Sequence, residues 1–229
     1  SNYPNLESFA LKALDMGAEG ITLHPRPDHR HATSNDVINL SKIVKDYGAE
    51  FNIEGNPFEE KTGDYLGFTE LIKICEPTQA TLVPDTLDQI TSDHGWTSGS
   101  HDQNLIRTIK LLKSYANRVS LFIDPTTEGV DYAHSMGADS IELYTENYAK
   151  TFKKIDSSLL IETYKQTIIQ AKSLGLRVNA GHDLNLENLP ALKALNLIDE
   201  VSIGHAIIVD ALNYGFEDTI KRYIQITKG

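Results

Sequence analysis

Seven short β-rich runs alternate with stretches of helical periodicity, and this alternation limits the fold more than any other feature of the chain. The runs are Gly20–His24, Glu50–Glu54, Ala80–Pro84, Arg118–Asp124, Ser140–Thr145, Arg177–His182 and Glu200–His205. Strand side chains alternate faces, so Ile21 and Leu23 share one face while Thr22 and His24 share the other. The same parity separates Phe51/Ile53 from Asn52/Glu54, Ile141/Leu143 from Ser140/Glu142, and Val201/Ile203 from Ser202/Gly204. One face is aliphatic and suited to covering helices. The other is polar and ends in His or Glu, which predicts acid and base groups converging on one mouth.

Strands alternating with helices imply right-handed βαβ units and a parallel sheet. Open doubly wound sheets are buried on both faces and read as continuous apolar runs. The polar face here favours a closed barrel with a functional interior. Gly17-Ala18-Glu19-Gly20, Gly48-Ala49-Glu50, Gly137-Ala138-Asp139 and Gly175-Leu176-Arg177 each sit where a helix ends and a strand begins. Glycine suits the left-handed conformation that stops a helix. The expected fold class is α/β, a (β/α)8 TIM barrel, formed by residues 1–229 as a single domain. Seven runs are one short of eight, and a helix over Asn5–Met16 follows only four residues, so the first strand is expected to precede Ser1.

At 229 residues the chain has the length of one such barrel, roughly 200–250 residues, and an apolar fraction of 40 % is ordinary for a globular protein. Its net charge of −11 disfavours nucleic acid or an anionic membrane as partner. No run reaches the ~20 apolar residues that span a bilayer, and the expected compartment is the cytoplasm. The lone Cys75 excludes an internal disulfide or a Cys-based zinc site and reads as a buried, inert thiol.

The one dense basic cluster is His24-Pro25-Arg26-Pro27-Asp28-His29-Arg30-His31. Two prolines stiffen it, and arginine forks suit phosphate or carboxylate. An anion site is the functional reading, and a surface salt-bridge cluster the structural one. A metal reading suffers from two arginines beside a divalent cation. Glu54 and Glu142 lie on the polar face, where each is either an acid–base group or a salt-bridged strand residue. His182 shares parity with Val178 and Ala180, so it points inward only if its strand has ended at Gly181. Gly204-His205 passes straight into a helix, a place where barrels often bind phosphate. The connection Thr86–Gln103, polar with Trp96 at its middle, reads as a lid or an ordered surface loop, and Thr145–Ser157 is a second candidate for closing the mouth.

Together these stretches resemble the pyridoxine 5′-phosphate synthase family of vitamin B6 biosynthesis. The resemblance runs from about Tyr3 to near the C-terminus. It rests on Gly20–His31, Asn52-Ile53-Glu54, Leu82-Val83-Pro84, Val119–Asp124, Ile141–Thr145, Asn179-Ala180-Gly181-His182 and Ile203–Ile208. It implies a barrel that forms homo-octamers and uses no metal or organic cofactor. The reaction it implies condenses 3-amino-2-oxopropyl phosphate with 1-deoxy-D-xylulose 5-phosphate to pyridoxine 5′-phosphate, phosphate and water. It also implies roles: His24 and Glu54 as proton acceptors, His182 as proton donor, and Glu142 as a transition-state stabiliser. Arg26, His31 and Thr91 fall on contacts to the pentulose phosphate, and Asp183, Gly204 and His205 on contacts to the amino-ketone phosphate. The family's first strand, with its substrate ligands, has no counterpart here, and Asp183 stands where many members have Gly. Two other readings compete. One is a metal-dependent sugar-phosphate isomerase or epimerase with Glu54, Glu142 and His182 as ligands. The other is a degenerate barrel that binds a phosphorylated ligand without turnover.

Overall fold

The computed structural model describes residues 4–86, 88–89, 91–99, 102–153 and 157–228. Positions 87, 90, 100 and 101 of the expected Thr86–Gln103 loop, and 154–156 of the second expected closing segment, fall outside the described residues. The chain forms two compact units, residues 1–92 with 101–120, and residues 93–100 with 121–229.

In the first unit α1 (Leu6–Asp15) leads into β1 (Gly20–Leu23), α2 (Ser34–Tyr47), β2 (Glu50–Gly55), α3 (Phe68–Cys75), β3 (Gln79–Leu82) and α4 (Asp102–Leu112). Strand β4 (Arg118–Ile123) begins in this unit and ends in the second. The second unit continues with α5 (Thr127–Met136), β5 (Ser140–Tyr144), α6 (Glu146–Thr151), α7 (Ser157–Ser173), β6 (Arg177–Gly181), α8 (Leu189–Lys193), β7 (Glu200–Ser202), α9 (His205–Tyr214) and α10 (Phe216–Lys228). Strand order in the sheet is β1-β2-β3-β4-β5-β6-β7, the order in the chain. The pairs β1–β2, β2–β3, β5–β6 and β6–β7 are parallel. Sequential strands joined by helical crossovers are the topology of the (β/α) barrel, with seven strands among the described residues.

Local chemistry explains the joints. Asn5 caps α1 by accepting from the Ser8 amide at 2.7 Å. Thr33 and Asp36 form a reciprocal capping box at the start of α2. The joint glycines Gly17, Gly48, Gly137 and Gly175 all have positive φ, as a left-handed helix stop requires. Val37, Leu40 and Val44 give α2 its buried stripe, and this helix packs on α1, α3 and β2. Cys75 is buried at the end of α3, and burial pushes its thiol pKa up. In the second unit α7 packs on α5 and β6. The buried Tyr164 hydroxyl there donates to the Tyr144 carbonyl at 2.7 Å.

The polar face expected from strand parity is buried. Asn52, Glu54, Gln79, Thr81, Ser120, Ser140, Glu142 and Asn179 are all buried. Register lines up Thr22, Asn52 and Gln79 across β1–β3, and Glu142, Asn179 and Glu200 across β5–β7. Hydrogen bonds knit the first row: Asn52 Nδ2 donates to Thr22 Oγ1 at 3.3 Å, and Thr81 Oγ1 to Asn52 Oδ1 at 3.1 Å. Pairing of this kind makes buried polar groups tolerable.

Six strands stop one to three residues before their sequence runs do: β1 at Leu23, β3 at Leu82, β4 at Ile123, β5 at Tyr144, β6 at Gly181 and β7 at Ser202. The cause at β6 is a left-handed pair, His182 at φ 74° and Asp183 at φ 56°. At β7 the chain turns at Gly204 directly into α9. His24, His182 and His205 therefore all stand just past a strand's carboxyl end.

Candidate active site

Each unit contains a histidine–carboxylate pair. In the first, His24 follows β1 and Glu54 lies near the end of β2. His24 Nδ1 is 3.0 Å from Glu54 Oε1, and both side chains are mostly buried. The His31 ring meets the His24 ring edge-on, with centroids 5.4 Å apart. Burial, then the charges of His24, Arg26 and Arg30, lowers the His31 pKa below the ordinary histidine value, against an upward pull from Asp28. Arg26 is 2 % exposed and ion-paired with Asp85, which is 1 % exposed. Arg30 reaches Asp28 at 3.2 Å and the Gln89 carbonyl. The basic cluster is thus split: Arg26 is buried and His24 partly so, while Arg30 and His31 are exposed. Thr91 is exposed in the stretch after β3.

In the second unit Glu142, 1 % exposed, projects from β5, and His182 follows β6. His182 Nδ1 stands 3.8 Å from Glu142 Oε1. A Cβ at Gly181 would run into Glu142 Oε1, so glycine there lets the carboxylate keep this position. The parity objection to an inward His182 is resolved, because the strand ends at Gly181 and the left-handed turn redirects the next side chain. The Phe122 ring meets the imidazole at a tilt, with centroids 4.7 Å apart, and the Tyr144 ring meets it edge-on at 5.8 Å. The Thr145 hydroxyl donates to the carbonyls of Gly181 and His182, which pins the strained turn. Asn188 Nδ2 donates to the Asp183 carbonyl at 3.1 Å. Aspartate tolerates the left-handed region better than most residues do, and this accounts for Asp183 where glycine would also serve. Asp183 Oδ1 lies 3.8 Å from His205 Nδ1, a solvent-screened pair of little energetic weight. Gly204 caps α9 with no side-chain hydrogen bond, so no capping side chain occupies the first amides of that helix.

Three residues of these clusters escaped the sequence reading. Asp85 was visible only as the residue after Val83-Pro84, and nothing local marks it as the partner of Arg26. Glu59 lies in the β2–α3 connection, close enough for His24 and Arg26 to pull its pKa down, though desolvation dominates and raises it. Tyr144 ends β5, and its hydroxyl pKa is pushed up by burial and by Glu146. Among the described residues no group of three or more His, Cys, Asp or Glu side chains could hold a metal ion.

Solved structures share this fold. Phosphoribosyl anthranilate isomerase from Thermotoga maritima matches with a TM-score of 0.61 at 17 % identity, covering 98 % of this chain and 95 % of that one. Thiamine phosphate pyrophosphorylase from Pyrococcus furiosus matches with a TM-score of 0.61 at 11 % identity, covering 99 % and 91 %. These likenesses show the α/β barrel class alone. Sequence relatives are far nearer. Pyridoxine 5′-phosphate synthase of Cytophaga hutchinsonii is 48 % identical over 99 % of this chain and 91 % of its own length. The same-named protein of Porphyromonas gingivalis is 44 % identical over 97 % and 89 %. The family described as "Pyridoxal phosphate biosynthesis protein PdxJ" matches residues 1–229, and the chain belongs to that family.

Proposed function

We propose that the chain is a pyridoxine 5′-phosphate synthase, condensing 3-amino-2-oxopropyl phosphate with 1-deoxy-D-xylulose 5-phosphate to pyridoxine 5′-phosphate, phosphate and water. The observation that carries this reading, beside family membership, is the repeated pairing of a buried strand glutamate with a histidine just past a strand end. Imine formation, phosphate loss and dehydration each move a proton, and positioned His and Glu side chains speed such steps by about 10²–10⁴-fold. His24 and Glu54, 3.0 Å apart, serve as proton acceptors. His182 serves as proton donor, and Glu142, whose carboxylate lies 3.8 Å from the His182 ring, stabilises the transition state. Arg26, His31 and Thr91 bind the pentulose phosphate, while Asp183, Gly204 and His205 bind the amino-ketone phosphate. The enzyme works in the cytoplasm as a homo-oligomer, an octamer by family resemblance. No described helix is long and apolar enough to cross a membrane.

The test is product formation from the two phosphorylated substrates by purified protein, with and without a chelator. Equal rates are expected. Activity that vanishes with chelator and returns with a divalent ion would favour a metal-dependent isomerase-type reading and overturn this one.

A further inference from the structure

Arg26 is too well buried, and too specifically held, to be a simple solvent-facing anion hook. Taking a guanidinium out of water is unfavourable unless a partner meets it. The partner is Asp85, on the chain just after β3, whose Oδ2 accepts from Arg26 Nη2. Asp85 is itself fixed from two sides. Ser92 Oγ donates to the same Oδ2 at 2.9 Å, and Asn56 Nδ2 donates to the Asp85 backbone carbonyl at 2.7 Å. Arg26 Nη1 donates to the Gln89 carbonyl at 3.2 Å. The contact is nonetheless one-pronged. Arg26 Nε and Asp85 Oδ1 are buried and have no hydrogen-bond partner. A buried N–H without an acceptor is costly, and arginine's planar fork is suited to an oxyanion.

We infer that Asp85 is a positioning residue: its carboxylate, steadied by Ser92, fixes the Arg26 guanidinium so that the unmatched Nε–H meets a phosphate oxygen. The inference rests on the proposed function for the identity of that phosphate, the one on the pentulose. It also sets two tasks side by side in the sequence, since Thr91 adjoins Ser92.

Charge and geometry make opposite forecasts for Asp85. Its carboxylate cancels positive charge beside the anion site, so if charge alone mattered, Asp85→Asn would bind phosphate more tightly. If Asp85 positions Arg26, the same variant binds phosphate more weakly despite the gain in positive charge. Titrating inorganic phosphate into the full chain, followed by calorimetry, is expected to show binding weakened about tenfold or more in Asp85→Asn, because small misplacements of a binding group are costly. Asp85→Glu should restore part of the loss. In steady-state kinetics the loss should fall on KM for the pentulose phosphate, more than on kcat or on KM for the amino ketone; a merely structural residue would move all three. Ser92→Ala keeps both charges and should weaken phosphate binding by a smaller factor, and it carries the test if Asp85→Asn does not fold. Equal or tighter phosphate binding in the folded variants overturns the inference, as does wild-type protein that binds no phosphate. Wild-type protein that binds phosphate yet forms no product would sink the proposed function while leaving the Asp85 test intact.

Discussion

His182 sits at φ 74° beside Asp183 at φ 56°, and each such non-glycine conformation costs on the order of 1–3 kcal/mol. The turn brings the imidazole past the strand end to within 3.8 Å of Glu142. Asparagine tolerates the same backbone, so His182→Asn isolates the chemistry from the fold. Turnover is expected to drop by about 10²–10⁴-fold with the melting temperature almost unchanged; full turnover per folded molecule would remove His182 from the mechanism. His31 gives a second test at this scale. Its folded pKa lies below its unfolded value of 6.5. Between the two values the unfolded chain holds more protons, so stability is present above about pH 6.5 and is lost as pH falls through the folded pKa. His31→Gln should flatten that acid-side decline in melting temperature, and an unaltered profile would contradict it. His24, Glu54 and Glu142 were legible from sequence because parity and strand ends are local properties. Asp85 and Glu59 were not, since what makes each matter is a partner distant in sequence, Arg26 for Asp85 and His24 for Glu59. His182 fell between: its motif was visible, but its direction depended on a backbone angle that no sequence pattern encodes.

At the scale of elements, boundaries follow caps. The α2 capping box joins Thr33 and Asp36, with the Thr33 amide donating to Asp36 Oδ2 at 2.8 Å and the Asp36 amide to Thr33 Oγ1 at 3.2 Å. Thr33→Ala should cost about 1 kcal/mol, measured by denaturant midpoint. The helix begins shortly after the His24–His31 cluster, so the variant should also loosen phosphate binding, and stability loss without any change in binding would show the two to be uncoupled. Helix stops were readable because glycine in the left-handed region has a fixed sequence signature, and all four joint glycines fulfil it. Strand stops were read too late by up to three residues. The run Glu200–His205 keeps an apolar residue, Ile203, past the end of β7 at Ser202, so composition alone overshoots there.

For the whole molecule, ligand binding and folding are linked. A ligand that binds only the native state at about 100 times its Kd adds roughly 2.7 kcal/mol of stability. In a chain of this size each kcal/mol is worth roughly 2–4 °C. Saturating pentulose phosphate should therefore raise the melting temperature by roughly 5–10 °C, and the rise should vanish in Arg26→Ala. A rise that persists there would place the phosphate elsewhere. The buried polar rows of the strands carry a different consequence, in the heat capacity of unfolding. Apolar surface raises that quantity when exposed and polar surface lowers it. A sheet face built from Asn52, Gln79, Thr81, Ser120, Ser140 and Asn179 releases amide and hydroxyl surface where many barrels release Val, Ile and Leu. Calorimetry should accordingly give a heat-capacity increment below the usual ~12–15 cal/mol/K per residue. The stability curve would then be broad, leaving the fold nearly as firm in the cold as at its optimum.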